Sequence, residues 1–301
     1  VRQGAQGGTC DPIGGGFCRY STDERWAIPH FEKMLYDNGP LLALYSDAWL
    51  VTRDPLYEKV VREAAAWPIR EMQSPEGGYY SSLDADSEGE EGKFYVWSRE
   101  EVQGLLTADE YAVAAPHFGF DAAPNFEDRH WNPYIARPLA EIAKERGLSG
   151  AACEALVASA RDKLFHAREK RVRPGRDEKV LASWNALMVR GMARAGRVFG
   201  ERAWVESATS AIDFIRSALW KDGRLLATYK DGRAHLNAYL DDHAFLLDAL
   251  LEHMQTTFRA DDLAFAQAIA DLVLDQFEDR AGGGFWFTSH DHERLIQRTK
   301  T

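Results

Sequence analysis

The chain is poor in cysteine, has no long apolar run and carries no surplus of positive charge. Its three cysteines, Cys10, Cys18 and Cys153, form no CxxC pair. That number and scatter argue against a disulfide framework and a structural zinc centre, and fit a reducing compartment. No stretch approaches the ~18 consecutive apolar residues of a spanning helix, so no membrane partner is expected. No apolar signal core opens the chain at Val1-Arg2-Gln3-Gly4, and the expected compartment is the cytoplasm. With 36 Lys and Arg against 47 Asp and Glu, the net charge is −11, which repels phosphate backbones and excludes nucleic acid as an expected partner. The basic run Arg168–Arg176 is broken by Glu169 and Pro174 and reads as a solvated helix end.

What the chain has is apolar mass, 45% of 301 residues, arranged as a repeat. Each copy is helix, short break, helix, then a Gly-rich turn and a short aromatic strand. One copy covers 30–80: Leu41, Leu42, Leu44, Tyr45, Ala48 and Trp49 stripe its first helix, and Asp54-Pro55 breaks it. Val60, Val61, Ala64, Ala65 and Met72 stripe its second helix, and Glu76-Gly77-Gly78-Tyr79-Tyr80 closes it. The next covers 179–226, with Gly200 as the break and Asp222-Gly223 as the closing turn. A third covers 239–287, its first helix reaching Phe258, and closes at Gly282-Gly283-Gly284-Phe285. Residues 14–20, opening with Gly14-Gly15-Gly16-Phe17, look like the closing turn of a further copy; they lack the Gly-Lys-Ser/Thr of a phosphate loop. Wide apolar stripes on the first helices suit burial on two sides, as in an inner ring. Residues 81–178 form an insert with an acidic loop, an aromatic strand Phe94–Trp97, a short helix near Arg99–Leu106, an irregular stretch Phe118–Arg137 and a helix over Gly150–Arg171. The expected class is all-α: an incomplete (α/α)6 toroid of helical hairpins with short Gly-rich β turns.

Aligned on their glycine turns, the copies carry polar groups at matching heights. His30, Glu32, Lys33, Tyr36 and Asp37 open the first; Lys179, Trp184 and Asn185 the second; Asp241, Asp242 and His243 the third. The acidic loop adds Asp84 and Asp86. Carboxylates, imidazoles and indoles around one opening suit a neutral sugar-like ligand, with His30, Asp37, Asp84, Asp86, Asp241 and Asp242 as candidates for acid–base work. The helix dipole offers the carboxylates at helix starts a plainer role. Asp84, Asp86, Glu88 and Gly89 match half an EF-hand loop, but its twelfth position is Tyr95, so no metal is expected, nor any cofactor.

Gly14-Gly15-Gly16-Phe17-Cys18-Arg19-Tyr20-Ser21, Asp23-Glu24-Arg25-Trp26 and Pro29-His30-Phe31-Glu32-Lys33-Met34-Leu35-Tyr36-Asp37 resemble the spermatogenesis-associated, thioredoxin-domain-containing family. Asp84–Gly89, Gly92–Trp97, Trp184-Asn185 and Leu240-Asp241-Asp242 fit the same family. Cys18 stands where that family usually has His, and His243 where it usually has Tyr. The resemblance implies a six-hairpin toroid similar to N-acylglucosamine 2-epimerases and six-hairpin glycosidases. It also implies a thioredoxin-like N-terminal domain and a last hairpin, both absent from this chain; that missing domain is the expected protein partner. Arg25, Trp26 and Trp97 join the ligand-contacting candidates on this basis. Two functions follow as expectations. One is sugar epimerisation or glycosidic cleavage. The other is a non-catalytic toroid that binds a ligand or protein, with redox chemistry in the missing domain.

Overall fold

The structure is a computed structural model and describes residues 1–293 and 295–300. The helices, in chain order, are α1 (Arg2–Gln6), α2 (Leu35–Thr52), α3 (Pro55–Trp67), α4 (Arg99–Leu105), α5 (Ala108–Phe118), α6 (Leu139–Arg146), α7 (Gly150–Arg168), α8 (Ala182–Phe199), α9 (Arg202–Phe214), α10 (Leu240–Met254) and α11 (Ala260–Gln276). They fall into two compact units: Val1–Met34, Pro55–Trp67 and Leu83–Arg176 in one, Leu35–Asp54, Pro68–Ser82 and Asp177 onward in the other. The class is the expected one, helical hairpins carrying short Gly-rich β turns. Among the described residues no helix is long and apolar enough to cross a membrane.

In the second unit, α2, α8 and α10 lie side by side and parallel. Arg194 pairs with Asp47 at 2.6 Å and Trp49 packs on Phe199 with ring centroids 4.7 Å apart, so α2 and α8 advance together. Arg190–Asp248 and Arg197–Glu252, both at 2.6 Å, do the same for α8 and α10. Glycines make the first pairing close. A Cβ on Gly191 would lie 2.2 Å from the Gly39 carbonyl oxygen, and one on Gly39 would lie 2.4 Å from that of Leu187. Both stripes are narrower than expected: Leu42, Leu246 and Leu250 are buried, but Leu44 and Leu251 face solvent. α10 also ends at Met254, leaving Phe258 beyond it and exposed. The longest strands, Arg224–Lys230 and Arg233–Asn237, form a hairpin through Asp231-Gly232, both at positive φ, as a tight hairpin turn requires.

The first unit surrounds two apolar clusters. Val102, Val113, Phe118, Phe120, Trp131, Val157 and Leu164 form the larger. Two helices stand in it that the sequence pattern left unassigned. α5 begins with a capping box, Thr107 and Glu110 each bonding the other's main-chain N–H, and stops at left-handed Gly119. α6 ends the same way at Gly147. The expected strand Phe94–Trp97 is instead a turn; only Trp97 pairs, with Trp131. The basic run is a solvated end only in part: Lys170, Arg173 and Arg176 are exposed, but Arg168 and Arg171 turn inward. Arg168 is 2% exposed and bonds Asp11, and its guanidinium sits over Phe94 and Tyr95. Arg171 lies 4.0 Å from the Trp97 ring centroid and donates to the Phe94 and Val96 carbonyls.

One turn occurs twice. Asp11 Oδ1 accepts from the N–H groups of Ile13 and Gly14, and Asp279 Oδ1 from those of Ala281 and Gly282. Cys10 bridges Phe17 across the first turn, and Glu278 bridges Phe285 across the second. A lysine then returns to each: Lys33 Nζ bonds Asp11 and the Gly15 carbonyl, and Lys300 Nζ bonds Asp279 and the Gly283 carbonyl. Thr9–Lys33 and Phe277–Lys300 are therefore two copies of one device, each with a Gly-Gly-Gly-Phe core.

Two measurements check this packing. Gly191→Ala must push α8 off α2, and is expected to lower stability by about 1–3 kcal/mol in denaturant unfolding. In α5, burial pushes the His117 imidazole down from 6.5 to about 4, while its Nδ1 donates to the Arg137 carbonyl. A ring held neutral gives its full stabilisation above pH 6.5 and loses it as pH falls towards 4, by at most about 3 kcal/mol. His117→Asn, which keeps the donor and does not titrate, should flatten that acid limb in denaturant midpoints measured across the window.

Candidate functional site

In the first unit a short antiparallel pair sets Tyr20 opposite His30. The loop between them is held by Asp23, whose Oδ1 accepts from Ala27 N and Ile28 N at 2.8 Å and whose Oδ2 accepts from Arg25 N at 3.1 Å. This clamp holds Trp26 at φ 60°, an unfavourable conformation for a bulky residue, with its indole partly in solvent. Arg25 is exposed on the same loop. His30 is the centre of the polar groups here. Its Nδ1 lies 2.7 Å from Glu91 Oε1 and its Nε2 lies 3.2 Å from Glu32 Oε2. Arg19 donates to that same Glu32 oxygen at 3.2 Å. The exposed Tyr20 ring stacks on the imidazole at 5.1 Å and 23°. A quarter of the His30 side chain remains accessible. A ring with a carboxylate at each nitrogen is fixed in plane, and both bonds are complete once it carries a second proton.

Glu91 comes from the acidic loop, a hairpin in which Asp86–Ser87 pairs with Glu90–Glu91. Glu88 and Gly89 make its turn, both at positive φ. Asp84 and Asp86 are exposed there, with Asp84 Oδ1 accepting from Asp86 N at 3.4 Å. Lys33 and Trp97 turn inward instead. Lys33, 1% exposed, is spent on Asp11 and Gly15, and Trp97 is fully enclosed beneath Arg171. Burial pushes the Asp11 carboxyl up, but Arg168 and Lys33 outweigh it and hold the group well below the usual carboxylate range.

In the second unit the parallel run of α2, α8 and α10 puts their first turns at one end. Tyr36 meets Trp184 edge-to-face at 4.7 Å, and Asp37 lies in the first turn of α2. Asp241 and Asp242 open α10. Asp242 is tied: Oδ1 accepts from Ser183 N at 2.9 Å and Oδ2 from Tyr239 N at 2.8 Å, so one carboxylate caps α10 and fastens it to α8. Burial pushes its pKa up, against the pull of those two amides. Asp241 Oδ1 accepts from Asp242 N. Asn185 is a structural clamp, bonding both the N–H and the C=O of Tyr79 and the Leu181 carbonyl. His243 is buried against Phe277, its Nδ1 donating to the Tyr239 carbonyl, and burial pushes its pKa down. Lys179 pairs with Asp177. Sequence reading missed Glu91, Tyr20 and Arg19; the last two sit in the family-like string, but nothing in the sequence separates Glu91 from its acidic neighbours.

Human spermatogenesis-associated protein 20 is 34% identical over 316 aligned positions, which cover 94% of this chain and 40% of the human protein. The chain is homologous to spermatogenesis-associated protein 20. The mouse protein matches equally, at 34% over 94% of the chain, and an uncharacterized protein of Caenorhabditis elegans is 32% identical over 98% of it. The chain spans about two fifths of the length of these curated relatives. No family model matches. Among solved structures, the chain is similar to a sugar epimerase from a ruminal bacterium (TM-score 0.35, 14% identity, 94% of this chain and 87% of that one). It is similar to a glycosyl hydrolase family 88 protein from Bacteroides vulgatus as well (TM-score 0.46, 8% identity, 87% and 54%).

The Asp242 contacts separate a structural from a catalytic carboxylate. Asp242→Ala leaves two main-chain N–H groups unpaired, and is expected to cost about 2 kcal/mol in thermal or denaturant unfolding. An unchanged midpoint would return Asp242 to the list of free acids.

Proposed function

We propose that this chain carries the proton-transfer centre of a sugar-converting enzyme, with His30 exchanging the proton on the carbon next to a sugar carbonyl. The observation that carries this reading is the accessible His30 ring, held by Glu32 and Glu91 and stacked on Tyr20. Each contact has a chemical use. Glu91 fixes the ring through Nδ1, and a substrate that displaces the longer 3.2 Å contact with Glu32 leaves Nε2 open to take the carbon-bound proton. Exposed aromatic faces, Tyr20 and Trp26, suit the apolar face of a sugar ring. Arg19, already on Glu32, holds that carboxylate in place. Epimerisation or isomerisation fits this set better than glycosidic cleavage. Cleavage needs two carboxyl groups facing each other across an open gap. Here Glu32 and Glu91 bracket an imidazole, and both oxygens of Asp242 are occupied by amides.

The non-catalytic reading draws on a different observation. Asn185, Asp242 and His243, three of the expected site residues, are buried and bonded to main chain. Ligand or partner binding, with redox chemistry in a thioredoxin-like domain elsewhere in the longer protein, is that alternative.

Solvent exchange separates the two. The full-length protein, incubated in D2O with a panel of aldoses, ketoses and N-acyl amino sugars, should place deuterium at the carbon next to the carbonyl of at least one, as read by NMR. His30→Gln should slow that exchange by about 10²-fold or more with the thermal midpoint preserved. Absence of exchange with every sugar, or full activity in His30→Gln, would sink the enzymatic reading.

A further inference from the structure

Behind the acidic hairpin lies a cleft of about 950 Å³, within the first unit and sharing Glu91 with the His30 contacts described above. Its size is at the upper end of the roughly 300–1,000 Å³ of small-molecule sites. Two tight loops wall it. One is the hairpin turn at Glu88-Gly89; the other is the turn between Phe126 and His130, with Glu127 and Asp128 both at left-handed φ. Phe94, Val96 and Phe126 supply its apolar lining, with Phe126 set edge-on to Phe31. Its charges come mostly as pairs. Lys93 bonds Glu90 at 2.7 Å, Arg129 bonds Glu127 at 2.9 Å and Arg171 bonds Glu101 at 2.8 Å. Arg171 is fixed further by two main-chain carbonyls and the Trp97 ring.

We propose that this cleft is a binding subsite for a neutral, hydroxyl-rich ligand, an oligosaccharide of two or three sugar units. Pre-paired cations and carboxylates leave little net field for an ion, but they set donors beside acceptors. A hydroxyl both donates and accepts, so one hydroxyl completes an acid–base pair that a simple ion would have to break. The apolar lining provides the surface on which a sugar's C–H face packs. Glu91 joins the two regions: it lines the cleft and its Oε1 holds His30 Nδ1. A ligand seated here would extend from the imidazole across the hairpin. The inference rests on the sugar reading of His30 for its ligand class, and adds where the remainder of the substrate lies.

Calorimetric titration of the 301-residue chain with maltotriose, cellotriose and trigalacturonate tests it. At least one neutral trisaccharide should bind with a Kd below about 10 mM, and trigalacturonate about tenfold more weakly. Glu90→Gln with Arg129→Gln, both on the surface, should weaken binding of the neutral ligand by about tenfold. Phe126→Ala should do the same if circular dichroism shows it folded. Binding of neither neutral trisaccharide, tighter binding of trigalacturonate, or affinity untouched by the surface double variant would each overturn the subsite. The proton-transfer reading fails separately: binding that obeys the cleft variants, with no deuterium exchange on any sugar, leaves the subsite standing without it.

Discussion

The first unit depends on a carboxylate almost sealed from water. Asp11 is held by Lys33 and Arg168, all three nearly fully buried, and its Oδ1 also orders the Gly14-Gly15-Gly16 turn. Removing one partner from such a group costs about 3–5 kcal/mol, because the remaining charges cannot be resolvated where they stand. The cations are sheathed in aromatics: Lys33 lies over Tyr95 and Trp67, and Arg168 over Phe94 and Tyr95. These contacts fix the segment between Gly92 and Trp97, which starts one residue after Glu91. The neighbouring residue, Glu32, precedes Lys33. The carboxylates on both sides of His30 are therefore positioned from inside the unit.

The second unit is ordered differently. Its three parallel helices are set by glycine contacts and by ion pairs along their lengths, and Asp242 locks the starts of two of them. The polar residues that open these helices divide accordingly. Asn185, Asp242 and His243 hold main chain, while Tyr36, Asp37, Trp184 and Asp241 stay half-accessible. A polar residue at a helix start is a weak sign of chemistry here, because the same position is where neighbouring helices need a cap.

Much of the hairpin order was readable, because apolar spacing and the breakers Asp54-Pro55 and Gly200 are local signals. The insert was harder. Aromatic density made Phe94–Trp97 look like a strand, whereas those rings serve as seats for arginines from the last residue of α7 and the turn just after it. The same distance hid the meaning of the basic run, since nothing near Arg168 in the sequence announces Asp11. The helix α5 was missed despite a local signal, Thr107 three residues before Glu110. Of the candidate site, His30 and Glu32 were readable among the polar residues that open the first repeat. Glu91 became distinct from Glu88 and Glu90 only through the hairpin's register, which turns one of three acidic side chains toward the imidazole.

The duplicated turn has a consequence for how the chain is made. In the later copy, Asp279 and Lys300 are 21 positions apart, so the device can close almost as soon as it is synthesised. In the earlier copy, Lys33 is equally near, but Arg168 stands 157 positions away from Asp11. Long-range closures of this kind come late in folding. Until α7 emerges, the opening turn holds an aspartate short of one guanidinium, beside Cys10 and Cys18, two thiols that the finished fold seals away. The interval of synthesis between those residues is when an oxidant or a misdirected disulfide partner can reach them, so the vulnerability of this region belongs to the nascent chain, not to the folded protein.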